Sequence, residues 1–279
     1  MQNIFYLDNN FVKENSIQYI LSIRFATDGL SFCVHDNFDK LLAFYYQPYS
    51  LDSQTEVIAK VKKAIVEEEL LNLRYRKVYI VPCKKEKTLI PAHIFNKNYL
   101  SDLYRLCHHT EKNDILLYRK VRPMEAYLVE SLPRSFTTFL TTRYQSICIV
   151  NSAYSFIINS LSSTLINREH LFVDIQDRYF DILLTRNNEV LLFNSFSYNS
   201  VTDMVYYMLN CLKNTNINKS NLQTTISGTL ANDPHLYATL STYIPTISVL
   251  NDTNLSQILK NDRLNTSGFV HLLSLHKCE

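Results

Sequence analysis

The chain of 279 residues has no tryptophan, only 3 glycines, and no uncharged apolar run near the about 18 residues of a membrane span. Each shortage excludes something. Glycine makes up about 7% of an average chain, and it supplies the bare backbone on which phosphate-binding loops are built. A chain with so few has little material for such loops. No membrane span is expected. Charge is also nearly balanced, with 28 basic against 26 acidic residues and a net charge of +2. General nucleic-acid binding needs a basic face, so that class is set aside. The six cysteines, Cys33, Cys83, Cys107, Cys148, Cys211 and Cys278, show no zinc-like spacing and indicate no oxidising compartment. Residues 1–15 show no basic-then-apolar signal pattern, so a cytoplasmic location is expected. Gly-x-Ser-x-Gly, a Gly-rich Lys-Ser/Thr loop and His-Glu-x-x-His are all missing, and no cofactor is expected.

What is present is ample core material: 46% hydrophobic residues, with 19 Tyr and 15 Phe, against 19% charged. Gln18 to Phe25 reads as a strand, Asp28-Gly29 as a hairpin turn in which Gly accepts positive φ, and Leu30 to His35 as the returning strand. In that strand Ser31, Cys33 and His35 share one face, and Phe32 and Val34 the other. Leu41 to Gln47 completes a meander. Ser53 and Glu56 form a capping box ahead of an apolar helical stripe, Val57, Ile58, Val61, Ala64 and Ile65. Lys77 to Pro82 follows as a buried strand.

The same order returns about 150 residues later. His170 to Ile175, Tyr179 to Thr185 and Glu189 to Phe196 read as strands, with Asn187-Asn188 as a turn. A helix starts at Ser200 with Asp203 as its capping partner, and Leu222 to Ile226 is the strand after it. Asp233-Pro234 starts another helix. Ile244 to Leu250 reads as a core strand and Phe269 to Leu275 as an edge strand. Between the two halves lies a mixed stretch, Thr88 to Asn167, with helices near Asn98 to Cys107, Arg134 to Thr142 and Tyr154 to Ser163. Its strands fall near Ile115 to Val121, Ala126 to Ser131 and Ser146 to Asn151. No Gly/Pro/Ser linker divides the chain, which favours two closely packed lobes.

A duplicated unit of three meander strands, a helix and a parallel strand resembles the ribonuclease-H-like unit of the actin-like ATPase superfamily. The related assembly proteins of type IV pili and type II secretion share the two-lobed form. In its phrases the chain resembles the bacterial family called domain of unknown function 3822. These are Leu89-Ile90-Pro91 with Ile94-Phe95, the run Val190 to Phe196, Ile226-Ser227-Gly228, and the ending Leu272 to Glu279. The resemblance implies an α/β fold of duplicated ribonuclease-H-like units, with mixed sheets and an antiparallel meander in each lobe. It implies an N-terminal lobe over residues 1–167, carrying the inserted mixed segment, and a C-terminal lobe over 168–279. It supplies no activity.

It also allows a test. Actin-like ATPases hold phosphates with Asp-x-Gly turns, where backbone N–H groups come close to the ligand. The corresponding turn in the first half keeps Asp28 and Gly29 but lacks the spacing between them and a following Gly, and it reads as an ordinary hairpin. In the second half Asp174 stands in place, but Gln176 takes the position of the expected Gly. The adenosine-side loop normally carries Gly-Gly, and here Ser227-Gly228-Thr229 keeps one. These six residues, Asp28, Gly29, Asp174, Gln176, Ser227 and Gly228, mark a cleft that reads as a vestigial nucleotide site.

Other constellations are slight. His108-His109 beside Cys107 reads as a solvated helix end, since neighbouring helix residues point about 100° apart. Asp174, Asp177 and Asp181 offer an alternative, the carboxylate cluster of a two-metal nuclease, although Asp177 falls in the turn. Lys84, Lys85 and Lys87 read as a solvated basic loop. Leu42 to Tyr46 and Tyr206-Tyr207 read as core, or as an interface where exposed. Two functions remain open: a non-catalytic scaffold or adaptor for a protein partner, and a small-molecule or nucleotide-binding protein, a weak or altered ATPase, using the interlobe cleft.

Overall fold

A computed structural model describes residues 3–163, 168–217, 221–244, 246–259 and 265–278. The first half runs β1 (Ile4–Leu7), β2 (Ile20–Ala26), β3 (Gly29–His35), β4 (Leu41–Pro48), α1 (Gln54–Glu67) and β5 (Lys77–Pro82). An intervening stretch holds β6 (Lys87–Pro91), α2 (Leu100–Arg105), β7 (Asp114–Val121), β8 (Ala126–Pro133), α3 (Arg134–Arg143), β9 (Ile147–Ile149) and α4 (Ser152–Ser162). The second half runs β10 (Glu169–Ile175), β11 (Tyr179–Arg186), β12 (Glu189–Ser197), α5 (Val201–Asn214), β13 (Leu222–Gly228), α6 (Pro234–Tyr243), β14 (Ile247–Val249), α7 (Thr253–Leu259) and α8 (Val270–Leu273).

The duplication is plain in the sheets. One has the order β1-β4-β3-β2-β5-β9 and another β12-β11-β10-β13-β14. Apart from the added β1, the two match strand for strand. In each, the first two hairpins are antiparallel and the strand after the helix lies parallel to the first strand of the meander. A third sheet, β6-β8-β7, belongs to the intervening stretch.

Local chemistry sets the element ends. Ser53 with Glu56 and Ser200 with Asp203 both form reciprocal capping boxes, at the starts of α1 and α5. Asp233 caps α6, with Pro234 in its first turn. Asn187 and Asn188 take φ of 53° and 67°, the paired left-handed residues that close a two-residue hairpin.

Among the described residues the apolar packing forms four clusters, the smallest of them, Ile90, Leu100, Tyr104 and Val129, on the inserted sheet. The outer face of the first sheet packs on α1 and α3, through Phe32, Val57, Val61 and Phe136. The second sheet packs on α5 and α6, through Val173, Phe180, Met208 and Leu240. Between the lobes a shared core joins Cys33, Phe44, Phe156, Phe172, Phe269 and Leu272. Strands β2, β3, β10 and, except for Arg186, β11 are covered on both faces, apart from the half-buried Glu169.

The chain end differs from expectation. Phe269 to Leu275 is not an edge strand. It folds as a short turn over Thr266–Phe269, the helix α8, and a last turn over Leu275–Lys277. The alternation in Phe269-Val270-His271-Leu272 resembled a strand, but its apolar groups serve two opposing walls. No helix among the described residues is long and apolar enough to cross a membrane.

Candidate functional site

The two hairpin turns face each other across the lobe boundary. In the first, Ala26 pairs with Gly29 around Thr27-Asp28. Gly29 does not have positive φ, contrary to the expectation from sequence. Its need is space: a Cβ would stand 2.6 Å from the Tyr46 ring and 3.0 Å from the Gln47 carbonyl. Asp28 Oδ1 lies 3.4 Å from Arg24 Nη2.

In the second turn the Gln176 N–H donates to Tyr179 O at 2.9 Å, and its side chain turns inward and is buried. Gln176 Nε2 donates to Asp174 Oδ2 at 2.6 Å, while its Oε1 accepts from Arg24 Nη2 at 2.7 Å. Ser227 Oγ donates to Asp174 Oδ1 at 2.8 Å and lies 2.9 Å from His271 Nε2. Asn159 Nδ2 reaches His271 Nδ1 at 3.2 Å and Ser274 Oγ at 2.7 Å. Gly228 has φ of +104°, and a Cβ there would meet the Ile175 carbonyl oxygen at 2.1 Å. It lets β13 lie against β10 at this point.

One hydrogen-bonded chain therefore runs from Arg24 through Gln176, Asp174, Ser227 and His271 to Asn159. Ser, His and Asp together suggest nucleophilic catalysis, but the proton order is wrong for it. The amide of Asn159 donates to Nδ1, so Nε2 carries the proton and donates to Ser227, whose own proton goes to Asp174. Activation of a serine requires the imidazole to accept that proton. Burial also pushes the His271 pKa below its usual value, against the pull of Asp174.

The chain end completes the closure. Asn265 Nδ2 donates to the Thr229 carbonyl at 2.7 Å, and Gly268 packs on Thr229. Phe269 stands edge-on to Phe44 and Tyr46, with ring centroids at 5.1 and 4.9 Å. Tyr154 Oη donates to the Cys278 carbonyl at 3.2 Å, and His276 stacks on His35 at 4.1 Å. Among the described residues, Arg24, Cys83, Ser152, Asp174, Gln176 and His271 border a cavity of about 20 Å³. That is room for about one water.

The six residues marked in the sequence thus divide. Asp174, Gln176 and Ser227 join in one network, Gly228 shapes its edge, Asp28 reaches it through Arg24, and Gly29 packs against Tyr46 and Gln47 instead. Arg24, Asn159 and His271 were not foreseen. Arg24 alone carried a signal, a single charge inside an otherwise apolar strand.

The carboxylate cluster does not form. Asp174 and Asp181 are cross-strand neighbours, but Asp181 is committed to Lys87 Nζ at 2.8 Å and to Ser195 Oγ at 2.6 Å. Asp177 sits in the turn beside Arg178. Among the described residues no group of three or more His, Cys, Asp and Glu could hold a metal ion. Lys87 also corrects the reading of a solvated loop, because its side chain and that of Asp181 are 0% exposed. Lys84 and Lys85 are both half-buried, Lys84 on Ser131 and Lys85 on Ser197 Oγ. His108 is half-buried on the Lys87 carbonyl at 2.9 Å, whereas His109 is exposed. Leu42 to Tyr46 is core, and Tyr206 is exposed.

A family model described as "Protein of unknown function (DUF3822)" matches residues 8–247. No curated protein matches the sequence. Among solved structures, a protein of Bacteroides thetaiotaomicron VPI-5482, described as having an actin-like ATPase fold and unknown function, superposes with a TM-score of 0.78 at 23% identity. The match covers 90% of this chain and 99% of that one. The PilM-PilN type IV pilus biogenesis complex superposes with a TM-score of 0.61 at 11% identity, covering 95% of this chain and 99% of that one. Likeness at such identity establishes the fold, an actin-like one, and nothing of the chemistry.

Proposed function

The chain belongs to the DUF3822 family, and from that starting point we propose that it is a non-catalytic actin-like scaffold or adaptor that binds a protein partner in the cytoplasm. One observation carries the reading: around Gln176 the described residues fill the space between the two turns with their own side chains. Among the described residues, the cavity that Gln176, Gly268 and His271 border is about 20 Å³, against the several hundred of an ordinary ligand pocket. This supports reading Asp28, Gly29, Asp174, Gln176, Ser227 and Gly228 as a vestigial site. The side chains of Asp174, Gln176 and Ser227 are spent on one another and on Arg24 and His271, so a triphosphate would have to displace bonds already made. Six free cysteines agree with a reducing compartment. The matched structure named as a PilM-PilN complex has a partner in its name, which agrees with a partner-binding use of this fold.

Thermal unfolding with and without magnesium-ATP tests this. A nucleotide that binds the folded state raises Tm by mass action. No rise is expected at millimolar concentration. A clear rise that Asp174→Ala abolishes overturns the reading.

A further inference from the structure

Strand β12, with nine residues, is the longest among the described residues, and it is an edge strand. Edge strands are usually blunted by lysine, proline or shortness. This one, Glu-Val-Leu-Leu-Phe-Asn-Ser-Phe-Ser, has a single charge, Glu189, and no proline. The inner strands β11 and β10 of its sheet are buried almost throughout, whereas β12 is at most half-buried along its whole length. The ladder to β11 slips by one residue at Leu191, a bulge that leaves this leucine 37% exposed.

Opposite stands a second free edge. β6 pairs with β8 on one side only. Between β6 and β12 lies a groove of about 370 Å³ walled by Leu89, Pro91, Met124, Val190, Leu191 and Phe193. On the outer edge of β12 the Ser195 N–H is taken locally by Asn194 Oδ1 at 2.8 Å. By the two-residue alternation of an antiparallel ladder, the N–H and C=O of Phe193 face the same way. Among the described residues neither has a partner outside the β11 ladder. An occupant must therefore bring backbone groups in extended form as well as apolar side chains. Glu189 closes one end of the groove, and among the described residues its carboxylate has no ion-pair partner.

We infer that this groove takes an extended peptide segment of a partner protein, with apolar side chains at alternate positions and a lysine or arginine at the end that meets Glu189. The segment adds a strand to β12 through main-chain hydrogen bonds, and its apolar side chains set the specificity. This rests on the scaffold reading and assigns it a surface.

The test is a random peptide library displayed on phage and selected on the full chain. Enriched peptides are expected to show alternate apolar residues with one terminal cation. Leu191→Arg, on an exposed position, is expected to weaken them at least tenfold. Glu189→Arg is expected to exchange the preference for a cation for one for an acid. Failure of any peptide to enrich, or equal binding by both variants, overturns the groove assignment. A switch of the chain from dimer to monomer with Leu191→Arg also overturns it, since a second copy would then cover the edge. None of these failures touches the closed cleft, which magnesium-ATP binding tests separately.

Discussion

Arg24 and Gln176, 152 positions apart, meet across the lobe boundary, where the guanidinium Nη2 donates to the amide Oε1 at 2.7 Å. Both are buried. The amide also donates to Asp174, so it satisfies a cation on one lobe and an anion on the other. Gln176→Ala removes both bonds and leaves their partners without them. A buried polar group that loses its partner costs about 1–3 kcal/mol, more when charged. Urea unfolding is expected to show a loss of that order, and a change below 0.5 kcal/mol, the range of ordinary surface substitutions, would contradict the bridging role.

The two turn glycines should respond differently to alanine. Gly228 has positive φ and a backbone carbonyl where Cβ would go, so nothing nearby can yield without moving β10. Gly29 has ordinary φ, and the nearest atom is the edge of the Tyr46 ring. Gly228→Ala is expected to cost several kcal/mol or to abolish soluble expression, and Gly29→Ala roughly 1–3 kcal/mol. Equal melting temperatures for the two would contradict this.

The buried pair Lys87–Asp181 ties the inserted sheet to the second lobe. Burial raises the Asp181 pKa, and the Lys87 ammonium opposes that rise. Lys87→Met leaves the carboxylate uncompensated and is expected to cost about 3–5 kcal/mol. The double variant Lys87→Met/Asp181→Leu is expected to recover a large share of the loss. Additive losses in the cycle would show that the two act independently.

Glu130 makes stability depend on pH. Burial pushes its carboxyl up to about 7, although the Asn151 amide and the Lys84 and Lys87 ammonium groups favour the charged form. An unfolded glutamate titrates near about 4.3. Between those values the folded chain keeps a proton that the unfolded chain has lost. The contribution of Glu130 is therefore full below about pH 4.3, declines as pH rises to about 7, and is flat above. At about 1.4 kcal/mol per pH unit, stability measured against Glu130→Gln should fall by roughly 3 kcal/mol from pH 5 to pH 7.5. Parallel pH profiles for the two proteins would contradict it.

Much of this fold was legible in the sequence because short-range rules wrote it. Ser53 with Glu56, Ser200 with Asp203, and Asn187-Asn188 are local signals, and each fell where the backbone needed it. Alternation separated Cys33 from Phe32 correctly, since β3 is covered on both faces by different cores. The cleft was legible in part, because a side chain at Gln176 has no bland place to go between two lobes. The rest depended on long-range partners. Nothing local to Phe269-Val270-His271-Leu272 says that α4 stands on one side and the first sheet on another. Lys87 looked solvated because it stands in a basic run with Lys84 and Lys85, and its burial comes from pairing with Asp181 on β11, far away in sequence. β1 and β6, four and five residues long, were too short to stand out.

A crystal of the protein grown with magnesium-ATP tests the closed cleft most directly. The expected map shows Gln176 still bonded to Arg24 and Asp174, with Phe269 against Phe44 and no triphosphate between the turns. Phosphates seated between Asp28 and Asp174, with Gln176 swung out, would contradict it.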